Sequence, residues 1–382
     1  MSVQIGTATD VGNLIDLLNA FLLVGHSLDP QYAGTGNGLI TALIGTAATV
    51  NETITCTATN ATHFTVVGSI SGALGTATVG TPFTSAVVDF TIVAGGTAFV
   101  LGDTITFVMT LPWTALVATA GAEYIWSAPG NDGAANIIVG VSRFSSSAGD
   151  YDDLNLLGAF GYDSGQSFTS QPGGNNDVYV PLLRVGSMRY WFVANGRRCA
   201  MVVQVSTTYQ TMYLGFIDQY ASPSQFPYPL AVGGSMSFHS TVPIVGDPLW
   251  RWSNNSISVC AFAIANNSPQ DLGAQLRMRT NAGVWRGFST DPGNPTFGTG
   301  QIWPYSGIMN NLRPNIDGSY FLDAIVLNDD GPNIYGELDG VDAVTGYNQV
   351  SENTVTINGI SWLVVQNVFR TTTTDYFALK LA

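Results

Sequence analysis

Apolar residues recur at two different periods along this chain of 382 residues, and the change from one to the other marks its elements. Between residues 10 and 24 the spacing is helical. Leu14, Leu17, Leu18, Phe21 and Leu22 fall on one face, and Asn13, Asp16 and Asn19 on the other. Asp10 is suited to cap the start of this helix, and Gly25 to close it in the left-handed conformation. Such a helix either packs on its own sheet or docks on a neighbouring subunit, with Leu14 and Leu18 as contact residues in the second case.

After Gly34-Thr35-Gly36-Asn37-Gly38 the period shortens to that of strands. Runs at 39–44, 52–58, 63–69, 76–79, 86–93 and 104–109 are separated by turns such as Ser71-Gly72 and Gly95-Gly96, and Val66, Val67, Val87, Val88 and Ile105 supply β-branched residues. This spacing predicts a small sandwich over 36–110. Glu52, Asp89 and Asp103 are its charged residues. Its edges lack the lysines that usually protect an unpaired strand, so neighbouring subunits are expected to cover them.

From Trp113 onward all eight tryptophans appear, and the arginines with them. Strand-like runs include 136–144, 178–183, 188–194, 199–206, 210–218, 256–263, 284–288, 321–327, 354–357, 361–369 and 376–379. Asn195-Gly196 and Asn358-Gly359 are hairpin signals between such runs. No strand–helix alternation follows, which disfavours a parallel sheet. The expected fold is mainly β: an antiparallel β-sandwich or barrel body over 111–382, a small β-sandwich insert over 36–110, and one N-terminal helical segment over 1–35.

Composition narrows the function. Lys380 is the one lysine, no arginine precedes Arg143, and the net charge is −14. Nucleic acid is excluded as a partner, because phosphate binding needs clustered bases. The group Arg184, Arg189, Arg197 and Arg198 reads as local ion pairs or interface anchors. Cys56, Cys199 and Cys260 are too scattered for a zinc site or a disulfide framework. The start MSVQIGTATD lacks the basic and apolar regions of a signal peptide, and no run is long enough to span a membrane. His26, His63 and His239 show no metal-ligand spacing, and no nucleophile elbow, phosphate loop or cofactor motif is present. The acids Asp152, Asp153, Asp329, Asp330, Glu337, Asp339 and Asp342 could serve a hydrolase or bind calcium through oxygen ligands. Solvated turns account for them more simply, and no enzyme activity is expected. A surface so poor in charge suits a chain packed among neighbours.

Tyr190–Arg198 (YWFVANGRR), Val205–Gly234 (VSTTYQTMYLGFIDQYASPSQFPYPLAVGG) and Glu123–Gly140 (EYIWSAPGNDGAANIIVG) together resemble a group of virion structural proteins of tailed bacteriophages. The shared pattern is an aromatic strand, a tight NGR turn, a Val-rich strand, then YLGF and a Pro/Tyr loop ending in Gly-Gly. The similarity covers about half the chain. It implies a virion component of the tail, collar or baseplate, with copies of itself and other virion proteins as partners, and it carries no functional residues with it.

Tyr, Trp and Arg dominate interface hot spots, so Phe226 and Tyr228 of the 225–229 loop, with Trp250 and Trp252, join Arg197 and Arg198 as candidate interface residues. Closure of a barrel end with the aromatics inside is the alternative. Sugar stacking is a third possibility, which leaves a receptor- or glycan-binding tail component as the rival function. Capsid decoration would leave the same sequence signature.

Overall fold

The computed structural model describes residues 1–145, 151–175, 178–183, 186–237, 262, 276–289, 300–304, 311–329, 333–357, 360–368 and 371–381. They are mainly β, with one α-helix and ladders that are antiparallel except where Trp285–Ser289 meets Gly300–Trp303.

Four neighbouring strands form the centre: Met188–Ala194, Arg198–Val205, Thr208–Phe216 and Leu230–Gly234. Their apolar runs hardly alternate with polar residues, as expected of strands covered on both faces, and nearly every residue is buried. Tyr190, Phe192, Met201, Val203, Leu214 and Val232 face one core. That core is shared with the helix and with a second sheet of Thr114–Thr119, Glu123–Ala128, Ile137–Ser145, Tyr151–Ala159 and Val178–Leu183. Trp191, Val193, Ala200, Val202, Tyr213 and Ala231 face another core. The far part of the same sheet, Leu322–Asp329, Ile334–Val344, Ile360–Gln366 and Tyr376–Lys380, curls back to cover it. The curl is tied where Asp218–Gln219 pairs with Ile334–Val344 and where Tyr209 bridges to Val368. The layers stack as a sandwich, and no closed barrel forms among the described residues.

The helix runs Val11–Leu22, with the Asp10 carboxylate accepting from the Asn13 amide at 2.9 Å. Leu14 and Leu18 are fully buried in the first core. The polar face is engaged as well. Asp16 accepts from the Gly121 amide at 2.6 Å and from the Tyr124 hydroxyl at 2.7 Å, and Asn19 accepts from the Trp126 indole at 2.9 Å. Leu14 and Leu18 therefore belong to the chain's interior, which corrects their assignment to a subunit contact. Gly25 does not adopt the left-handed conformation. It is needed because a Cβ there would collide with Thr49.

Residues 39–110 form two facing sheets around their own core of Ile54, Phe64, Phe90, Ile92, Ile105 and Phe107. Residues 1–35 do not stand apart as a segment. Ser2–Ala8 pairs with Met188–Ala194, while His26–Ser27 and Gln31–Ala33 extend the insert along Thr104–Thr110.

Two substitutions test this packing. Gln210 is 0% exposed, and its amide has no hydrogen-bond partner among the described residues. Water satisfies the amide in the unfolded chain, so Gln210→Met, close to it in shape, is expected to raise stability by about 1 kcal/mol in urea unfolding. Gln210→Ala opens a cavity and should not.

His26 is enclosed edge-on to Phe21, with ring centroids 5.0 Å apart, and burial pushes its pKa down to about 3. The unfolded chain takes up that proton near pH 6.5, roughly. The contribution of His26 is therefore complete above that pH and is lost as pH falls toward the folded value, by about 1.4 kcal/mol per pH unit in between. His26→Phe should remove this part of the acid sensitivity, read as a flatter dependence of Tm on pH between about 6 and 4.

Candidate functional site

The turn between the first two central strands gathers most of the polar chemistry of the body. Ala194 pairs with Cys199, leaving Asn195-Gly196-Arg197-Arg198 as the loop. Neither Asn195 nor Gly196 has positive φ. The Asn195 side chain closes the loop instead, its Oδ1 accepting from the Arg197 and Arg198 amides at 2.8 and 3.1 Å. A Cβ on Gly196 would strike the Gly130 carbonyl, and the Gly130 amide donates to the Gly196 carbonyl at 2.7 Å. The Trp113 indole donates to the Asn195 carbonyl at 2.9 Å from beneath.

The two arginines part at this turn. Arg198 is 0% exposed. Its guanidinium pairs with Asp339 at 3.2 Å, donates to the Val193 carbonyl at 3.2 Å and touches the Met1 sulfur. Asn195 Nδ2 donates to the same Asp339 carboxylate at 2.7 Å. Burial alone would raise the Asp339 pKa, but the Arg198 charge and the hydrogen bonds from Arg198 and Asn195 hold it below the usual carboxylate range. Gly340 has φ 70°, and a Cβ there would collide with the same guanidinium. Arg197 turns outward, pairing with Asp218 at 2.8 Å and donating to the Ile217 carbonyl at 2.6 Å. Asp218 is raised by burial and by the neighbouring Asp339 charge, which together outweigh Arg197. Asp29 binds Lys380 close by. Farther along the same strand as Asp339, burial and then the Glu337 charge push Asp342 up to about 7.

A cleft of 530 Å³ opens above this knot, walled by Gly130, Asn131, Asp132, Arg197, Asp218 and Pro227 among others. It adjoins a second of 420 Å³ that reaches Asp29, Asn195, Asp339 and Lys380. The Pro-Gly-Asn-Asp-Gly turn, the NGR turn and the 217–229 loop, far apart in sequence, thus meet at one place.

Phe226 is 2% exposed and belongs to the second core. The Tyr228 hydroxyl donates to the Ala159 and Asn136 carbonyls at 2.9 and 3.1 Å and accepts from the Ile138 amide at 3.1 Å. These two aromatics hold the loop down. Phe226 and Arg198 are thereby removed from the candidate interface, because a side chain sealed inside the chain cannot reach a neighbour. Arg197 and Tyr228 are half-buried. Trp250 and Trp252 lie outside the described residues, as do Arg184, His239, Cys260 and Asp330. Asp152 and Asp153 lie in the strand Tyr151–Ala159 and are buried, Asp152 against Arg143 at 2.7 Å. No group of three or more metal-ligating side chains gathers among the described residues. The role of Asp339 was not legible in sequence; its one signal was an acid placed between the apolar residues Leu338 and Val341.

The insert presents a different surface. Glu52 accepts from the Ile70 and Ser71 amides and the Ser71 hydroxyl, and Asp103 from the Thr35, Gly36 and Val100 amides. Both are only 4% exposed, which leaves Asp89 as the insert carboxylate nearest solvent. On the outward face two rows cross five strands side by side: Ala33, Thr104, Thr57, Thr65, Thr76, and Gln31, Thr106, Thr55, Val67, Ala73. Ile70 and Leu101 beyond them are 69% and 78% exposed.

No family model matches this chain, and no curated protein does. Among solved structures it is similar to FlgL of Xanthomonas campestris over 24% of this chain and 33% of that one, at 20% identity and a TM-score of 0.19. The likeness spans a third of that protein's length and assigns neither fold nor function.

The knot makes a measurable claim. Asp339→Ala leaves a sealed guanidinium without its counter-charge and is expected to destabilise the chain by about 3–5 kcal/mol. Adding Arg198→Met should recover much of that loss, and the non-additivity is read from urea unfolding of the single and double variants.

Proposed function

We propose that this chain is a structural component of a bacteriophage particle, of the tail, collar or baseplate, and that it acts by packing against copies of itself and other virion proteins. The observation that carries this reading is the insert surface. Its carboxylates Glu52 and Asp103 are folded inward, and threonine rows and large apolar side chains face outward. Such a face avoids the largest desolvation cost, that of burying a charge, and its threonine hydroxyls can bond across a contact. Its β-branched side chains are already restricted at χ1, so ordering them on contact costs little. Copies of a chain carrying −14 repel one another elsewhere, and the insert is where that repulsion is weakest. The similarity of the NGR and YLGF segments to tailed-phage virion proteins supplies the kind of particle.

Sedimentation at physiological salt tests the reading. The native chain is expected to associate with rising concentration, and Ile70→Lys with Leu101→Lys to shift it to monomer at unchanged Tm, since both side chains are exposed. A native chain that stays monomeric at about 100 μM and is missing from purified particles sinks the proposal.

A further inference from the structure

We propose that the trough formed by the two adjoining clefts binds an uncharged saccharide. This goes beyond assembly and does not depend on it. The clefts, of 530 and 420 Å³, share Asn131 and Asp218, and each falls within the range of small-molecule sites, about 300–1,000 Å³.

The walls decide the ligand class. Both signs of charge line the trough, and three ion pairs balance most of them: Arg197 with Asp218, Lys380 with Asp29, and Arg198 below with Asp339, while Asp132 stands at the lip. An anion would face Asp29, Asp132 and Asp218, and a cation would face Arg197 and Lys380. A neutral ligand rich in hydroxyls meets neither penalty, because each hydroxyl can donate to a carboxylate and accept from a guanidinium or amide. Asn131 strengthens the case. It lines both clefts, and its Oδ1 is buried with no hydrogen-bond partner among the described residues, an acceptor that a ligand hydroxyl would satisfy. Phe216, Pro223 and Pro227 offer an apolar wall suited to the C–H face of a sugar ring.

The lips are set before any ligand arrives. Asp132 Oδ1 accepts from the Ala134 amide at 3.0 Å, Gly130 is bonded to Gly196, and the Gln225 and Phe226 amides donate to the Ser222 carbonyl at 2.9 and 3.0 Å. Preorganisation of this kind lowers the ordering cost of binding.

The test uses the full chain with maltotriose, cellotriose and N-acetylated chitotriose as neutral probes and sialyllactose as the anionic comparison, read by saturation-transfer NMR and calorimetry. At least one neutral probe is expected to bind with Kd below about 10 mM, more tightly than sialyllactose. Asn131 and Gln219 both line the larger cleft, and Asn131→Leu and Gln219→Leu are each expected to weaken binding about tenfold. Thermal unfolding establishes that each variant is folded, and Gln219→Leu alone decides if Asn131→Leu is not. Failure of all three neutral probes at that concentration overturns the proposal. So does tighter binding of sialyllactose, or unchanged affinity in the folded variants.

Discussion

A guanidinium sealed inside a sheet that is covered on both faces is the constraint on which the rest of this structure depends. Arg198 lies on the side of the second core, beside Met1, and is sealed from solvent. Asp339, about 140 residues later, must arrive against it. Together with the pairing of Asp218–Gln219 to Ile334–Val344 and the bridge from Tyr209 to Val368, this contact ties the NGR turn to the far strands. Asn195 and Gly340 serve the same end, the first by bonding to the carboxylate and the second by leaving room for the guanidinium. A buried ion pair is weak evidence of stability. Here its weight lies in the loss: without Asp339, Arg198 would be an unpaired charge in the interior.

Much of the fold was legible because local chemistry and tertiary environment agree. The run 52–58 alternates threonine with apolar residues, and Glu52–Ala58 is a strand with one face on a core. The run 188–194 is nearly all apolar, and Met188–Ala194 is covered on both sides. What escaped prediction is governed by distant partners. Ser2–Ala8 is a strand because Met188–Ala194 offers it an edge. Tyr151–Ala159 and Ile334–Val344 carry acids that read as solvated turns, yet Arg143 and Arg198 neutralise Asp152 and Asp339 from other strands. The helix and its packing on its own sheet were legible as one of two readings, but not the use of its polar face, since the acceptors of Asp16 and Asn19 are matched by donors on a hairpin about a hundred residues away.

The same limit applies to the site. The arginines at 197 and 198 were legible as ion-pair residues, but nothing local says that one turns inward and the other outward. That is decided by where the strand Arg198–Val205 begins, with Arg198 on the face of the second core and Arg197 still in the turn. The cleft is made by segments near 130, 196, 218 and 227, and nothing local to the segment near 130 says that it closes on the other three. The apolar loop residues stood out on composition as contact candidates, and Phe226 proves to be the loop's anchor in the second core.

One feature of the insert bears on the geometry of growth. Its outermost strand, Gly72–Thr78, is interrupted opposite Val66 and Val67, where the ladder slips and Gly75 takes φ 130°. A straight, chargeless border of main chain would template ribbon after ribbon without end. The kink denies an incoming strand a continuous row of donors and acceptors, so open-ended filament extension is blocked at that border.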